Sequence, residues 1–151
     1  MIKLVVKNNI PVILMHMQGN PKYMQINPFY NNVVDEIITF FKEQIRKLDS
    51  NGFPIHKIIL DPGIGFGKTL EHNLKILKNI DIICNLGCHA LIGTSRKSFI
   101  GDILNFPTEK RIEGTISSNL FAIIKGVKIV RVHDVLEMRK ALTVLEKILE
   151  A

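Results

Sequence analysis

Two apolar patterns alternate along this 151-residue chain. Short runs rich in Val, Ile and Leu occupy residues 12–17, 57–60, 89–93 and 128–132, as expected for strands covered on both faces. Between them, apolar residues recur at helical spacing. Residues 32–48 place Val34, Ile37, Ile38, Phe41, Ile45 and Leu48 on one face, and Asn51-Gly52 supplies a stop. Thr69 can cap a second helix over residues 70–80. A third covers residues 111–125 and ends at Gly126. A fourth opens with Asp134-Val-Leu-Glu137, a capping-box spacing with Asp in the Ser/Thr place. It carries Val135, Met138, Leu142, Leu145 and Leu149 along one side. The helical stripes read as core-facing packing rather than a partner seam. Residues 1–9 look like the end of a helix leading into the first strand, with Asn8-Asn9 as its stop.

Strand then helix, four times over, predicts an α/β fold with a parallel sheet and helical crossovers. Without a low-complexity linker or a short-period repeat, residues 1–151 read as a single domain.

Composition narrows the function. A hydrophobic share of 46% with 23% charged residues is that of an ordinary globular domain. The net charge of +6 is spread singly or in pairs such as Arg96-Lys97, with few aromatics between. Nucleic-acid binding would favour a basic stripe with stacking rings. A solvated surface, or a local site for an anionic and phosphate-bearing substrate, fits better. Two cysteines, Cys84 and Cys88, cannot form a disulfide framework and point to a reducing, cytoplasmic setting. No apolar run reaches the ~20 residues needed to span a bilayer, and no secretory leader is recognisable.

Parallel α/β folds gather their chemistry at the C-terminal ends of the strands. Here the four predicted strands run into Met15-His16-Met17-Gln18-Gly19-Asn20-Pro21, Asp61-Pro62-Gly63-Ile64-Gly65-Phe66-Gly67-Lys68-Thr69, Gly93-Thr94-Ser95-Arg96-Lys97-Ser98 and Arg131-Val132-His133-Asp134. One such ending is often just a helix cap; four in one register suggest a single polar site. The glycine-rich loop resembles two phosphate motifs and matches neither. Pro62 stands where a P-loop needs its first Gly, and Gly63, Gly65 and Gly67 fall on every second residue. The alternation suggests instead a loop pressed against a flat ligand. Asp61 can accept two side-by-side N–H donors from a guanidine-like ring edge, or cap the loop that follows it. Lys97 and Arg131 can hold an anion or a ring carbonyl, or make surface ion pairs. His133 should share the face of Arg131. Cys84, Cys88 and His89 lack a fourth zinc ligand, and His16 and His72 lack ligand spacing, so no metal site is expected on this chain. No nucleophile elbow surrounds Ser95.

Together these endings resemble the dihydropteroate synthase family, through Leu14-Met-His-Met-Gln-Gly-Asn-Pro-Lys22, Leu60-Asp-Pro-Gly-Ile-Gly-Phe-Gly-Lys68, Gly93-Thr-Ser-Arg-Lys-Ser-Phe-Ile-Gly101 and Arg131-Val-His-Asp-Val135. The resemblance implies a pterin-binding (β/α)₈ TIM barrel that joins 6-hydroxymethyl-7,8-dihydropterin diphosphate to p-aminobenzoate and releases pyrophosphate. A full barrel takes ~250 residues, so this chain would be its second half, the last four β/α units, truncated at the N-terminus. The resemblance further implies that Asp61 grips the pterin, with Met15, Gly93, Lys97 and Arg131 lining its slot. Phe66, Ser95 and Lys97 would border the aminobenzoate pocket, and Arg131 and His133 would bind the diphosphate. Catalysis would rest on Asp61, Lys97, Arg131 and His133. Mg²⁺ would arrive with the diphosphate, its protein ligand belonging to the first half. The partner would be a complementary N-terminal half or a second copy in a homodimer. Two other readings stay open: a non-catalytic half-barrel assembly module, and a pterin-binding methyltransferase-like protein.

Overall fold

A computed structural model describes residues 2–151. Its elements in chain order are α1 (Ile2–Asn8), β1 (Val12–Met15), α2 (Val33–Asp49), β2 (Ile58–Asp61), α3 (Leu70–Lys78), α4 (Ile80–Cys84), β3 (His89–Ile92), α5 (Ser98–Leu104), α6 (Ile112–Ile124), β4 (Ile129–Val130) and α7 (Val135–Glu150). Short 3₁₀ turns precede β2 and α6. The strands form one parallel sheet in the order β1-β2-β3-β4, with Met15 beside Asp61 and Ile92 beside Val130. Sheet order that simply follows sequence order is that of a barrel segment; a doubly wound sheet reverses direction at a switch point.

The expected helices form for the expected local reasons. At the start of α2 the Asn32 side chain accepts from Val34 N at 3.1 Å and Asp35 N at 3.4 Å. Its inner face seats Ile37 and Phe41, both fully buried, and each such side chain contributes ~1.5–3 kcal/mol of apolar burial. Thr69 caps α3 by accepting from His72 N at 3.2 Å, and the His72 ring accepts from Thr69 N at 3.3 Å. α1 stops before Asn9, whose φ is 51°; Met1, the first residue of that predicted segment, lies outside the described residues.

Several expectations are corrected. β1 ends at Met15 and β4 keeps only Ile129–Val130, because the residues beyond turn out of the ladder to build loops. The predicted 70–80 helix breaks at Asn79, where ψ rises to 23°, and restarts as α4. α5 was not foreseen; its seven residues carry Gly101 mid-helix, where the Arg111 guanidinium packs against the missing side chain. The Asp134 capping box does not form, because that carboxylate is turned toward Arg96. The apolar stripe of α7 is not core-facing as a whole: Met138 is its one buried residue, and Val135 and Leu149 are each 67% exposed. β4 is an edge of the sheet among the described residues, so no further layer stands there to cover that stripe.

Candidate active site

The strand ends deliver their polar residues to one end of the sheet. Asp61 closes β2 with its side chain 2% exposed. Oδ1 accepts from Gly63 N at 2.8 Å, whereas Oδ2 is buried without a hydrogen bond. The nearest cation to Oδ2 is the Arg131 guanidinium at 3.6 Å, close enough for Coulomb attraction but too long for a good hydrogen bond. A buried carboxylate oxygen with a spare lone pair is costly unless a donor reaches it.

Beside this pair, Phe66, Gly93, Ser95, Lys97, Arg131, Val132 and His133 line a cleft of about 360 Å³. At Gly93 the Arg131 guanidinium packs close to the backbone: a Cβ there would meet it at 3.1 Å. Lys97 Nζ donates to Ile64 O and lies 4.5 Å from the Phe66 ring centroid, a cation–π distance. Burial lowers the Lys97 pKa to about 8, with Asp61 opposing the shift and Arg131 adding to it. His133 Nδ1 lies 2.9 Å from Ser95 Oγ, which also accepts from His133 N at 3.2 Å. When Nδ1 accepts the hydroxyl proton, Nε2 carries the ring proton and remains free to donate.

Six of the anticipated site residues therefore share one cleft, and Asp61 reaches it through Arg131. Met15 does not line it. It pairs with Asp61 in register, and its Cγ comes within 3.5 Å of where a Cβ at Gly63 would stand. His133 joins Arg131 in the cleft, although both lie beyond β4 and strand alternation is not what aligns them.

The glycine-rich loop is also shaped differently from its expected form. Gly63, Gly65 and Gly67 all have positive φ, at 68°, 79° and 65°. A Cβ at Gly63 would run into His16 O, and one at Gly67 would stand 2.6 Å from Gln18 O. Two of the three glycines thus accommodate the protein's own β1 exit, not a flat ligand. Asn73 Oδ1 accepts from Gly65 N at 2.8 Å and fastens the loop to α3.

Lys68 and His16 have no role that their sequence spacing predicts. Lys68 is 3% exposed; its Nζ donates to Phe66 O at 2.9 Å and lies 3.2 Å from His16 Nδ1. Burial and repulsion from Lys97 lower the Lys68 pKa to about 7, against a raising effect of Asp61. Burial and the neighbouring Lys68 lower that of His16 to about 4. A Lys inside a Gly-Lys-Thr string was visible, but nothing in the spacing linked it to a histidine 52 residues away. Also missed was a buried network under the third strand end, where Thr94 Oγ1 donates to Asn119 Oδ1 at 2.9 Å and Ser118 Oγ donates to Thr94 Oγ1 at 2.9 Å.

The family model described as pterin binding enzyme matches residues 1–133. The chain belongs to the pterin-binding enzyme family. Within it, the chain is similar to the dihydropteroate synthase of Haemophilus influenzae, at 45% identity over 130 residues, covering 86% of this chain and 47% of the relative. Against the Escherichia coli dihydropteroate synthase it is 42% identical over 145 residues, covering 96% and 51%. The Yersinia pestis dihydropteroate synthase, solved with a sulfonamide drug complex, superposes with a TM-score of 0.94 at 38% identity, over 99% of this chain and 54% of that one. The Thermus thermophilus enzyme, solved with 4-aminobenzoate, gives 0.91 at 40% identity over 97% and 60%. The chain spans about half the length of the curated relatives it matches. Its four β/α units are thus the α/β fold of this pterin-binding barrel over about half of its circuit.

Proposed function

We propose that this chain carries the substrate-binding half of a dihydropteroate synthase, a transferase of folate biosynthesis. The substrates are 6-hydroxymethyl-7,8-dihydropterin diphosphate and p-aminobenzoate; the products are 7,8-dihydropteroate and pyrophosphate. One observation carries the reading: Asp61 Oδ2 is buried, unpartnered and next to the Arg131 guanidinium. A pterin presents adjacent amine and ring N–H donors that would satisfy such a carboxylate.

The residues suit the bond changes. As the C–O bond to the diphosphate breaks, its electron pair leaves with pyrophosphate and positive charge develops on the pterin methylene and ring. Asp61 stabilises that charge from below. Arg131 and the Nε2–H of His133 stabilise the departing anion. The aminobenzoate nitrogen then supplies the electron pair of the new C–N bond and loses a proton. Phe66 and Lys97, stacked at 4.5 Å, offer one wall for its ring, and Ser95 offers a hydroxyl. No protein nucleophile is needed.

Magnesium belongs to this proposal as a companion of the diphosphate. Around Arg131 and His133 the chain offers donors that fit an anion and no set of oxygen ligands that would fit the ion. Among the described residues no group of three His, Cys, Asp or Glu side chains could hold a metal. No step is assigned to the ion.

The partner follows from the sheet. β1 and β4 are both edges among the described residues, and Ile13 on β1 is 52% exposed. Exposed edges of this kind need cover, which the remaining four β/α units, on this polypeptide or another, would provide. The apolar groove lined by Leu74, Leu77, Phe99, Ile103 and Phe121 would serve a homodimer. The two free cysteines, Cys84 and Cys88, favour the cytoplasm.

Calorimetric titration with the dihydropterin diphosphate tests the reading. Affinity in the wild type that is lost in Asp61→Asn supports it. A folded chain without pterin affinity would leave the assembly-module reading in its place, with the exposed α7 stripe as its support.

A further inference from the structure

Among the described residues Arg96 is one of four non-glycine residues with positive φ, at 57°, and it sits between Ser95 and Lys97, two residues of the cleft. Left-handed backbone costs a residue with a Cβ about 1–2 kcal/mol, and such conformations persist where the surroundings over-determine them. Three contacts do so here. Arg96 N donates to Thr115 Oγ1 at 3.0 Å, and Thr115 is fully buried. Arg96 O accepts from Arg111 Nη1 at 3.0 Å. The Arg96 guanidinium makes a two-point contact with Asp134, Nε to Oδ2 at 3.0 Å and Nη2 to Oδ1.

Asp134 follows His133 directly and leaves its helix uncapped in order to make that contact. Two bridges therefore run in parallel between the β3 and β4 exits: Ser95 to His133, and Arg96 to Asp134. The first sets the ring of a cleft residue. The second lies one residue further along both loops, and its two side chains hydrogen-bond to each other outside the residues that line the cleft.

We propose that Arg96 and Asp134 are a positioning pair. Their bidentate bridge holds the left-handed turn at Arg96 and the β4 exit together, so that His133 presents Nε2, beside Arg131, to one anionic substrate. The inference rests on the function proposed above for the cleft. A planar two-point contact between guanidinium and carboxylate fixes orientation as well as distance. A lysine at position 96 keeps the charge and loses that constraint.

The test uses the full chain in three variants, Arg96→Lys, Asp134→Asn and Arg96→Gly, with folding checked by circular dichroism. Arg96→Gly frees the strained turn while deleting the pair, which separates strain from positioning. The first readout is ¹⁵N NMR of the His133 ring. The wild type should hold one Nε2–H tautomer, and all three variants should average the two ring nitrogens. The second is calorimetric binding of inorganic pyrophosphate, which should weaken on the order of tenfold to a hundredfold. A His133 ring spectrum unchanged in folded Arg96→Lys and Asp134→Asn overturns the proposal, as does full recovery of both readouts in Arg96→Gly. A wild type without pyrophosphate affinity sinks the functional reading instead, and the ring spectrum alone then decides the pair.

Discussion

Asp61 Oδ2 and the Arg131 guanidinium stand 3.6 Å apart, one side chain 2% exposed and the other 58%. The pair is lopsided. The carboxylate has left water almost completely, yet its cation remains solvated and free to swing. A structural ion pair would bury both ends or neither. Here the buried end waits for donors, and the exposed end can follow a ligand.

Asp61→Asn should therefore separate stability from binding. The amide oxygen can still accept from Gly63 N, and the cost of burying a charge disappears while Arg131 stays solvated, so the melting temperature should hold or rise. Pterin affinity should fall about ten- to a hundredfold, the loss of hydrogen bonds to a charged acceptor. Thermal unfolding and calorimetry on one preparation check both halves. A large fall in melting temperature would mean that Asp61 is structural.

Between about pH 7 and pH 10 the pH dependence of stability is dominated by two buried amines. Both have folded pKa values below the ordinary lysine value, Lys68 at about 7 and Lys97 at about 8. Between those values and about 10 the unfolded chain binds more protons than the folded one, so stability rises with pH. Below pH 7 both states are protonated and the cost of burying the ammonium is felt in full. Tyr30, pushed up to about 12 by burial, reverses the trend above about pH 10. The melting temperature should thus be higher at about pH 9 than at about pH 7, and Lys68→Met should flatten the lower part of that rise. A wild-type melting temperature flat across this window would show that neither amine is held as described.

How much of this was legible in the sequence depends on how local each cause was. The Thr69 cap could be read because its partner is three residues away, and the α2 stripe because Ile37 and Phe41 face inward by periodicity alone. Asp134 was misread because its local role as a cap lost to Arg96, 38 residues distant. The α7 stripe was misread because periodicity gives a face but not what covers it. The cleft residues Lys97, Arg131 and His133 could be named from strand endings, since a parallel sheet brings those endings together. The Lys68–His16 contact could not, because it depends on how two loops pack.

The Thr69 cap supports the site as well as the helix. Asn73, one turn into α3, holds Gly65 N and donates to Thr69 O at 2.8 Å. Thr69→Ala should cost about 1 kcal/mol, measured as a shift in the urea midpoint. Fraying of that first turn should also loosen the loop that carries Phe66, seen as faster amide exchange at Gly65. Unchanged exchange at Gly65 would show that Asn73 holds the loop without help from the cap.

Gly52 after α2 and Gly63 in the glycine-rich loop separate backbone strain from steric contact. Gly52 and Gly63 have nearly the same φ, 75° and 68°. Nothing lies within 4 Å of where a Cβ at Gly52 would stand, whereas one at Gly63 would strike the His16 carbonyl oxygen. Alanine at either position meets the same left-handed penalty of about 1–2 kcal/mol, partly offset by a stiffer unfolded chain. Gly52→Ala should therefore cost about 1 kcal/mol. Gly63→Ala must also push β1 from β2 at the point where Met15 pairs with Asp61, and should cost about 4 kcal/mol or more. Urea unfolding of both variants checks this. Equal losses would mean that the β1 exit yields easily, and that the close approach of the two strand endings is not what shapes the floor of the site.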